Sequence, residues 1–218
     1  MKRFYYFLVL LSISCGTTLA QEKPAFWKEI QEFKHKDSIT IPQKNGILFV
    51  GSSSFEKWKG LETVFKDYHA INRGFGGSTL TQANYYVADL VYPYQPRQVV
   101  IYSGENDIAV DGVSALETLN RFSSFFTSIR NKFPDVPVLY LSIKNSPSRT
   151  KFSATNTHTN TLIKEYLSHY KNAQFLDVNS KMLKNNAVRP ELFLEDMLHM
   201  NQEGYAIWIK AITPHLIK

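Results

Sequence analysis

The sequence predicts an α/β fold, a single domain in which one parallel sheet carries helices on both faces. Short apolar segments rich in β-formers recur along the 218-residue chain, and amphipathic helical segments separate them. Strands that alternate with helices form βαβ units, and their right-handed crossovers place helices on both sides of one sheet. No internal repeat, low-complexity tract or linker interrupts this alternation. We therefore expect one domain.

The first twenty residues are predicted to be a secretory signal peptide. Lys2 and Arg3 precede an apolar run at 4–13, and small residues then lead to a cleavage site after Ala20. The apolar run is too short to cross a bilayer as a transmembrane helix. We therefore expect a secreted or periplasmic protein. A lipid anchor through Cys15 is the alternative form of export.

Cysteine content and charge exclude several classes of site. Cys15 is the only cysteine, so cleavage at Ala20 leaves a chain without disulfides, thiolate nucleophiles or cysteine-bound metal. The formal charge falls from +6 to +4, because the signal carries Lys2 and Arg3 and no acidic residue. The remaining charge is spread along the chain, which predicts neither a nucleic-acid partner nor a membrane partner.

Residues 21–45 are predicted to be an N-terminal amphipathic segment that precedes a domain at 46–218. Its apolar residues at 26, 27, 30 and 33 have helical spacing, so we expect a short helix that packs on the sheet or lies beside the active face. In the domain, the predicted strands are 47–50, 69–72, 98–102, 138–143 and 175–178. The predicted helices are 55–66, 80–92, 113–133, 153–170 and 202–212.

The loops that follow the strands should meet at one edge of the sheet, where ligands bind in open α/β folds. After the first strand come Gly51 and three serines, Ser52, Ser53 and Ser54. The start of a helix offers unpaired N–H groups and a positive dipole there, so one of these serines can be a nucleophile. They can also be ordinary N-cap residues.

Two further loops carry groups that can donate hydrogen bonds to an anion. Residues 72–79 include Gly74, Gly76 and Gly77, which let the backbone approach a ligand closely, although the spacing is not a dinucleotide fingerprint. After the third strand, Asn106 can present its amide to an oxyanion, and Asp107 can cap or brace the loop. Each loop alone is also compatible with a plain turn.

The segment before the last helix carries an acid–base pair. Asp196 precedes His199 by three residues, a spacing at which the carboxylate reaches Nδ1 and leaves Nε2 free to act as a general base. One carboxylate and one imidazole make a poor metal site. In the loop after the fourth strand, Arg149 can bind an anionic or hydroxyl-rich leaving group, or it can be a surface arginine.

These blocks together resemble the SGNH hydrolases, also called GDSL esterases and lipases, over about residues 46–212. The resemblance implies a flavodoxin-like three-layer α/β/α sandwich with a five-stranded parallel sheet in the order 2-1-3-4-5. It also implies a serine hydrolase without metal or organic cofactor. Ser53 would be the nucleophile, Asp196 and His199 would complete the triad, and the oxyanion hole would comprise Ser53, Gly77 and Asn106. Ser52 replaces the usual acid of the first block, as in a Gly-Ser-Ser branch of the family.

We therefore expect a serine esterase that acts on carboxylic esters through an acyl-enzyme. Short-chain esters, acetyl esters on carbohydrate among them, suit a chain without a long lid insertion. A lysophospholipase or thioesterase of the same fold is one alternative. A non-catalytic module that binds a sugar or phosphate through the serine and glycine loops is the other.

Overall fold

The computed structural model describes residues 23–218. The predicted signal peptide, with Cys15 and the cleavage site at Ala20, lies outside these described residues. The strands are β1 Ile47–Gly51, β2 Ile71–Gly74, β3 Gln98–Tyr102, β4 Val138–Leu141, β5 Ala173–Leu176, β6 Leu183–Lys184 and β7 Ala187–Val188. The α-helices are α1 Trp27–Ile39, α2 Ser53–Glu56, α3 Leu61–Val64, α4 Leu80–Tyr85, α5 Val87–Leu90, α6 Glu105–Ala109, α7 Ala115–Lys132, α8 Ser153–Ser168 and α9 Gln202–Ile212.

The main sheet is parallel throughout and has the order β2-β1-β3-β4-β5, which confirms the predicted α/β sandwich. Every residue of β1 and β3 is buried, as expected for central parallel strands that helices cover on both faces. The chain leaves β1 for β2 on one side and later returns to place β3 on the other. The topological switch point therefore lies between β1 and β3, where ligands bind in such folds.

Successive side chains of β1 serve two separate cores. Leu48 and Val50 pack with the layer that contains α1, α4, α5, α7 and α8. Ile47 and Phe49 pack with the layer that contains α2, α3 and α9. This alternation follows from the two-residue period of a strand, and it explains why β1 has no polar face.

Helix α1 is fixed to the sheet by a partly buried ion pair. Arg73 of β2 pairs with Asp37 of α1, and its Nε donates a hydrogen bond of 2.6 Å to the Tyr94 hydroxyl. The Tyr94 hydroxyl donates in turn to Asp37 at 2.6 Å. Ile30 of α1 is buried in the core. The amphipathic segment therefore packs beside β2, at the edge of the sheet.

Several element boundaries differ from the prediction. The predicted helix 55–66 is divided, because α2 ends at Glu56 and α3 begins after Gly60, whose φ is 86°. The predicted helix 80–92 is interrupted at Tyr86. Strand β2 begins two residues later than predicted because His69 has a left-handed backbone, with φ 49°. The loop after β3 contains α6, and residues 183–188 form a hairpin that was not predicted.

Across residues 23–218, no helix combines the length and the apolarity needed to cross a membrane.

Candidate active site

A groove of about 1240 Å³ lies at the carboxyl ends of β1 and β2. It continues along the edge strand β2, between α1 on one side and the α2–α3 segment on the other. All the predicted site residues except Asp196 line it: Ser53, Gly77, Asn106, Arg149 and His199. The loops that the sequence analysis placed at one edge of the sheet therefore share one cavity.

The turn that carries Ser53 is shaped by close contact with β3. A Cβ atom on Gly51 would lie 1.9 Å from the carbonyl oxygen of Tyr102, and Gly51 has a φ of 154°. The backbone N–H of Ser52 donates to that same oxygen at 3.0 Å. Only glycine allows this approach, so the chain turns sharply from β1 into α2. Ser52 and Ser54 are buried, whereas Ser53 is half-buried and lines the groove.

Helix α9, which lies in the same layer as α2, also holds this turn. The Tyr205 hydroxyl donates to the carbonyl of Ser54 at 3.0 Å, and its ring stacks on Trp58 with centroids 4.7 Å apart. Burial raises the pKa of Tyr205 above its usual value, so this hydroxyl keeps its proton and remains a donor. The serine turn is therefore fixed on both sides, by β3 and by α9.

Ser53, His199 and Asp196 form one hydrogen-bonded chain. His199 Nε2 lies 3.0 Å from Ser53 Oγ, and His199 Nδ1 lies 2.5 Å from Asp196 Oδ2. Among the three adjacent serines, Ser53 is the one that makes this contact with the imidazole. The geometry therefore brings together a hydroxyl, a base and a carboxylate that orients the base.

The turn before α9 fixes the carboxylate against the imidazole. Asp196 Oδ1 accepts the backbone N–H groups of Leu198 and His199, both at 2.9 Å. Met197, between Asp196 and Leu198, has a left-handed φ of 53°. Partial burial raises the pKa of Asp196, but the hydrogen bonds from the His199 ring and from these N–H groups outweigh it and lower the pKa to about 2. Asp196 is therefore ionised over the whole neutral range.

Asn106 lies in the first turn of α6 with its amide held at both ends. Nδ2 donates to the carbonyl of Ser78 at 2.9 Å, and Oδ1 accepts from Arg149 at 3.0 Å. An amide NH₂ has two hydrogens, so one remains for a ligand after the Ser78 bond. Gly77 lies immediately before Ser78, is exposed and has a φ of 78°. The loop that carries Gly77 thus contacts the Asn106 amide directly, through the carbonyl of Ser78.

Asp107 braces these two loops, as its position in the sequence predicted. Its carboxylate is fully buried and accepts the backbone N–H of Leu80 at 3.0 Å, which ties α6 to the start of α4. Arg121 of α7 donates to it at 3.0 Å. Burial raises the pKa of Asp107, which the Leu80 and Arg121 contacts partly offset.

Arg149 is engaged by protein groups, which its sequence context did not reveal. Its guanidinium donates to Glu105 at 3.1 Å as well as to Asn106, and Glu105 also accepts from Lys144 at 3.0 Å. Lys144, at the start of the same loop, is buried and does not face the groove. The sequence did not mark Glu105, which lies between Gly104 and Asn106, as a site residue. Its partners Lys144 and Arg149 lie about forty positions away in the chain, and only the fold brings them together.

Among residues 23–218, no group of three or more His, Cys, Asp or Glu side chains is arranged to hold a metal ion.

Comparison with known proteins places these contacts in a family context. The family model described as the GDSL-like lipase/acylhydrolase family matches residues 37–207. That range contains all six predicted site residues, Ser53, Gly77, Asn106, Arg149, Asp196 and His199. A comparison with curated proteins finds no match.

Solved structures share the fold at low sequence identity. A GDSL-like lipase from Bacteroides thetaiotaomicron is 21% identical, with a TM-score of 0.72 over 86% of this chain and 96% of that one. A protein described as an acylhydrolase from Bacteroides fragilis is 23% identical, with a TM-score of 0.77 over 89% and 98%. An acetyl-xylooligosaccharide esterase from Geobacillus is 15% identical, with a TM-score of 0.64 over 80% and 95%.

Proposed function

Since the chain belongs to the GDSL-like lipase/acylhydrolase family, we propose that it is an exported esterase that removes short acyl groups, chiefly acetyl, from carbohydrate. Membership of this family makes the chain an ester-hydrolysing serine hydrolase. The observation that carries the assignment of its residues is the hydrogen-bonded chain from Asp196 through His199 to Ser53. A module that only binds a ligand has no need of a base placed against a hydroxyl.

The reaction begins with attack of Ser53 Oγ on the ester carbonyl while His199 Nε2 takes the hydroxyl proton. The carbonyl oxygen becomes an oxyanion, which the N–H groups of Ser53 and Gly77 and the amide of Asn106 stabilise. As the tetrahedral intermediate collapses, His199 returns the proton to the leaving alcohol. Asp196 holds the imidazole in the tautomer that this transfer needs and stabilises the imidazolium.

Water then attacks the acyl-enzyme in the same site. His199 removes a proton from the water, the same donors stabilise the second oxyanion, and Ser53 leaves with the proton from His199. Helix α2 begins at Ser53, so its first backbone N–H groups, that of Ser53 included, have no partner within the helix. The carboxylic acid then leaves through the open groove.

The lining of the groove supports a polar leaving group. Along α1 it presents Glu29, Glu32 and Lys36, which can hydrogen-bond the hydroxyls of a sugar, beside apolar side chains such as Ile39 and Trp58 against which a sugar ring can pack. Its volume of about 1240 Å³ is larger than an acetyl group needs. The acetyl-xylooligosaccharide esterase among the similar folds acts on an ester of this kind. A long-chain lipid ester would have to lie against these charged side chains.

Export rests on the N-terminal sequence. Lys2 and Arg3, the apolar run at 4–13 and the small residues before Gln21 have the order of a signal peptide. Cleavage after Ala20 places the enzyme where polysaccharide esters are accessible. Intact mass of the protein recovered from culture medium or periplasm would begin at Gln21, whereas retention of the first twenty residues would contradict export by this route.

The test of the activity is hydrolysis of p-nitrophenyl esters by the mature protein. We expect turnover of the acetate, a lower kcat/KM for the octanoate and palmitate, and loss of turnover in Ser53→Ala and His199→Ala. His215→Ala is the matched control, because His215 is an exposed imidazole bonded to Gln174 far from the groove. Preference for the palmitate would favour a lysophospholipase. Turnover that persists in Ser53→Ala would overturn the assignment.

A further inference from the structure

A buried charge cluster lies directly behind Asn106 and takes no part in the mechanism above. Glu105 Oε2 accepts from the Tyr102 hydroxyl at 2.6 Å and from Lys144 Nζ at 3.0 Å, and Oε1 accepts from Arg149 at 3.1 Å. The side chain of Lys144 is 1% exposed and that of Glu105 is 6% exposed. Arg149 is partly buried, at 18% exposed. Because removing charges from water is costly, the burial of Lys144 and Glu105 calls for a functional explanation.

Glu105 remains an anion in this environment. Burial raises its pKa, but the charges of Lys144 and Arg149 and the hydrogen bond from Tyr102 outweigh burial, so the pKa lies below its ordinary value. The carboxylate is therefore a fixed anchor for both cations. Lys144 and Tyr102 hold one oxygen, which leaves the other oxygen for Arg149.

Arg149 connects this anchor to the amide of Asn106. One guanidinium nitrogen, Nη1, lies 3.1 Å from Glu105 Oε1 and 3.0 Å from Asn106 Oδ1. A cation that donates to Oδ1 requires the oxygen end of the amide to face Arg149, so the NH₂ end faces Ser78 and the glycine loop. It also draws electron density from the amide, which makes Nδ2–H a stronger donor to an oxyanion.

The segment that carries Arg149 is itself fixed to the triad turn. Ser148, the preceding residue, donates through its backbone N–H at 3.0 Å and its hydroxyl at 2.9 Å to the carbonyl of Met197. Met197 lies between Asp196 and His199 in the chain. The loop after β4 thus contacts the acid–base side of the site through Ser148 and the oxyanion side through Arg149.

We propose that Arg149 is a positioning residue that acts through Asn106, fixing and polarising the amide that stabilises the oxyanion, while Glu105 holds the guanidinium in place. This proposal rests on the proposed function, because it needs Asn106 to be an oxyanion donor. It differs from the two sequence-based interpretations, in which Arg149 binds the leaving group or is a surface arginine. The two roles differ in which kinetic constant they control.

The test is a double-mutant cycle on p-nitrophenyl acetate with Arg149→Met, Asn106→Ala and the double variant. In Arg149→Met, Glu105 keeps Lys144 and Tyr102, so the buried carboxylate stays paired and the fold is retained. We expect kcat to fall about tenfold to hundredfold, the worth of one charge-assisted hydrogen bond, with KM within about twofold. In the Asn106→Ala background, Arg149→Met should cause little further loss.

Two other variants separate positioning from folding and from charge. Arg149→Lys keeps the cation but not the planar fork, and should retain more of kcat than Arg149→Met does. Arg130→Lys is the matched control, because Arg130 is an arginine bonded to backbone carbonyls at the opposite end of the sheet. It should leave kcat and KM unchanged. Thermal unfolding of each variant checks that the folded protein is compared.

The outcomes distinguish this proposal from the proposed function. If Asn106→Ala is slow but Arg149→Met costs the same factor in both backgrounds, Arg149 does not act through Asn106 and the proposal is wrong. A rise in KM at constant kcat, larger for an anionic ester such as p-nitrophenyl succinate than for the acetate, would instead make Arg149 a substrate-binding residue. If Asn106→Ala itself has the wild-type kcat, the oxyanion assignment fails, and this proposal fails with it.

Discussion

Replacement of Asp196 by Asn tests how the carboxylate controls the imidazole of His199, the proposed general base. In the wild type, Oδ1 accepts the two backbone N–H groups of the turn, and Oδ2 accepts from His199 Nδ1 at 2.5 Å. An Asn side chain that keeps the backbone bonds must place its NH₂ group against Nδ1. The imidazole then has its proton on Nε2, which points at Ser53 and cannot accept a proton from it.

The expected loss of kcat is on the order of 10³ to 10⁴, because the wrong tautomer removes the general base but leaves the oxyanion hole intact. This corresponds to a barrier higher by about 5 kcal/mol. The free energy of unfolding should change by less than about 1 kcal/mol, since the side chain of Asp196 is 47% exposed and solvent screens its charge. Activity and stability should thus change independently.

The assay is steady-state hydrolysis of p-nitrophenyl acetate, with urea unfolding of the same preparations. Glu195→Gln is the matched control, because it removes one exposed carboxylate from the adjacent position and should keep kcat within about twofold, as a screened surface charge would. Equal losses of kcat in Asp196→Asn and Glu195→Gln would show that net charge, not the hydrogen bond to His199, controls the rate. A kcat above a tenth of the wild-type value in Asp196→Asn would refute the tautomer argument.

Three further variants test the framework around the site. Gly51→Ala places a methyl 1.9 Å from a carbonyl oxygen of β3, so we expect destabilisation above about 4 kcal/mol and loss of activity, measured by urea unfolding and ester hydrolysis. Asp37→Ala leaves the buried Arg73 without its carboxylate and should cost about 2–3 kcal/mol, seen as a lower urea midpoint. Glu105→Gln leaves Lys144 unpaired and should cost about 3–5 kcal/mol at pH 7. Because the folded pKa of Glu105 lies below its ordinary 4.5, this contribution is present above pH 4.5 and is lost as the pH falls below it, which urea unfolding at several pH values measures.

Each of these variants has a control or a contradictory result. Gly112→Ala introduces a methyl with nothing within 4 Å and should cost about 1 kcal/mol, the strain of its φ of 70°. Asp89→Ala is the control for Asp37→Ala, because it removes a more exposed ion pair, that of Asp89 with Lys34. It should lower the free energy of unfolding by less than about 1 kcal/mol. If the loss in Glu105→Gln is the same at pH 3 as at pH 7, folding does not lower the pKa of Glu105.

The fold was predictable because its central signals are local. β1 and β3 are runs of apolar β-formers, and each is followed directly by the glycine and polar residues of a strand end. The contact between Asp196 and His199 was predictable for the same reason, since His199 follows Asp196 by three positions in one turn. Patterns of this kind depend on the residues themselves and not on what packs against them.

The parts that were missed depend on tertiary contacts or on single backbone angles. The ion pairs of Glu105 join it to Lys144 and Arg149 across about forty residues, and no spacing rule connects them. The hairpin at 183–188 is marked by Asn185 and Asn186, whose φ values of 52° and 63° suit a tight two-residue turn. That Asn-Asn pair was a usable signal, but strands of two residues are too short for periodicity to show.

The central claim is that Ser53 is the nucleophile, and covalent labelling tests it most directly. The mature protein would be treated with a fluorophosphonate, digested, and the modified residue located by fragment mass spectrometry. We predict one adduct on Ser53, absent in Ser53→Ala and retained in Ser52→Ala and Ser54→Ala, whose side chains are buried in the turn. An adduct on Ser52 or Ser54 in the wild type, or labelling that persists in Ser53→Ala, would contradict the assignment.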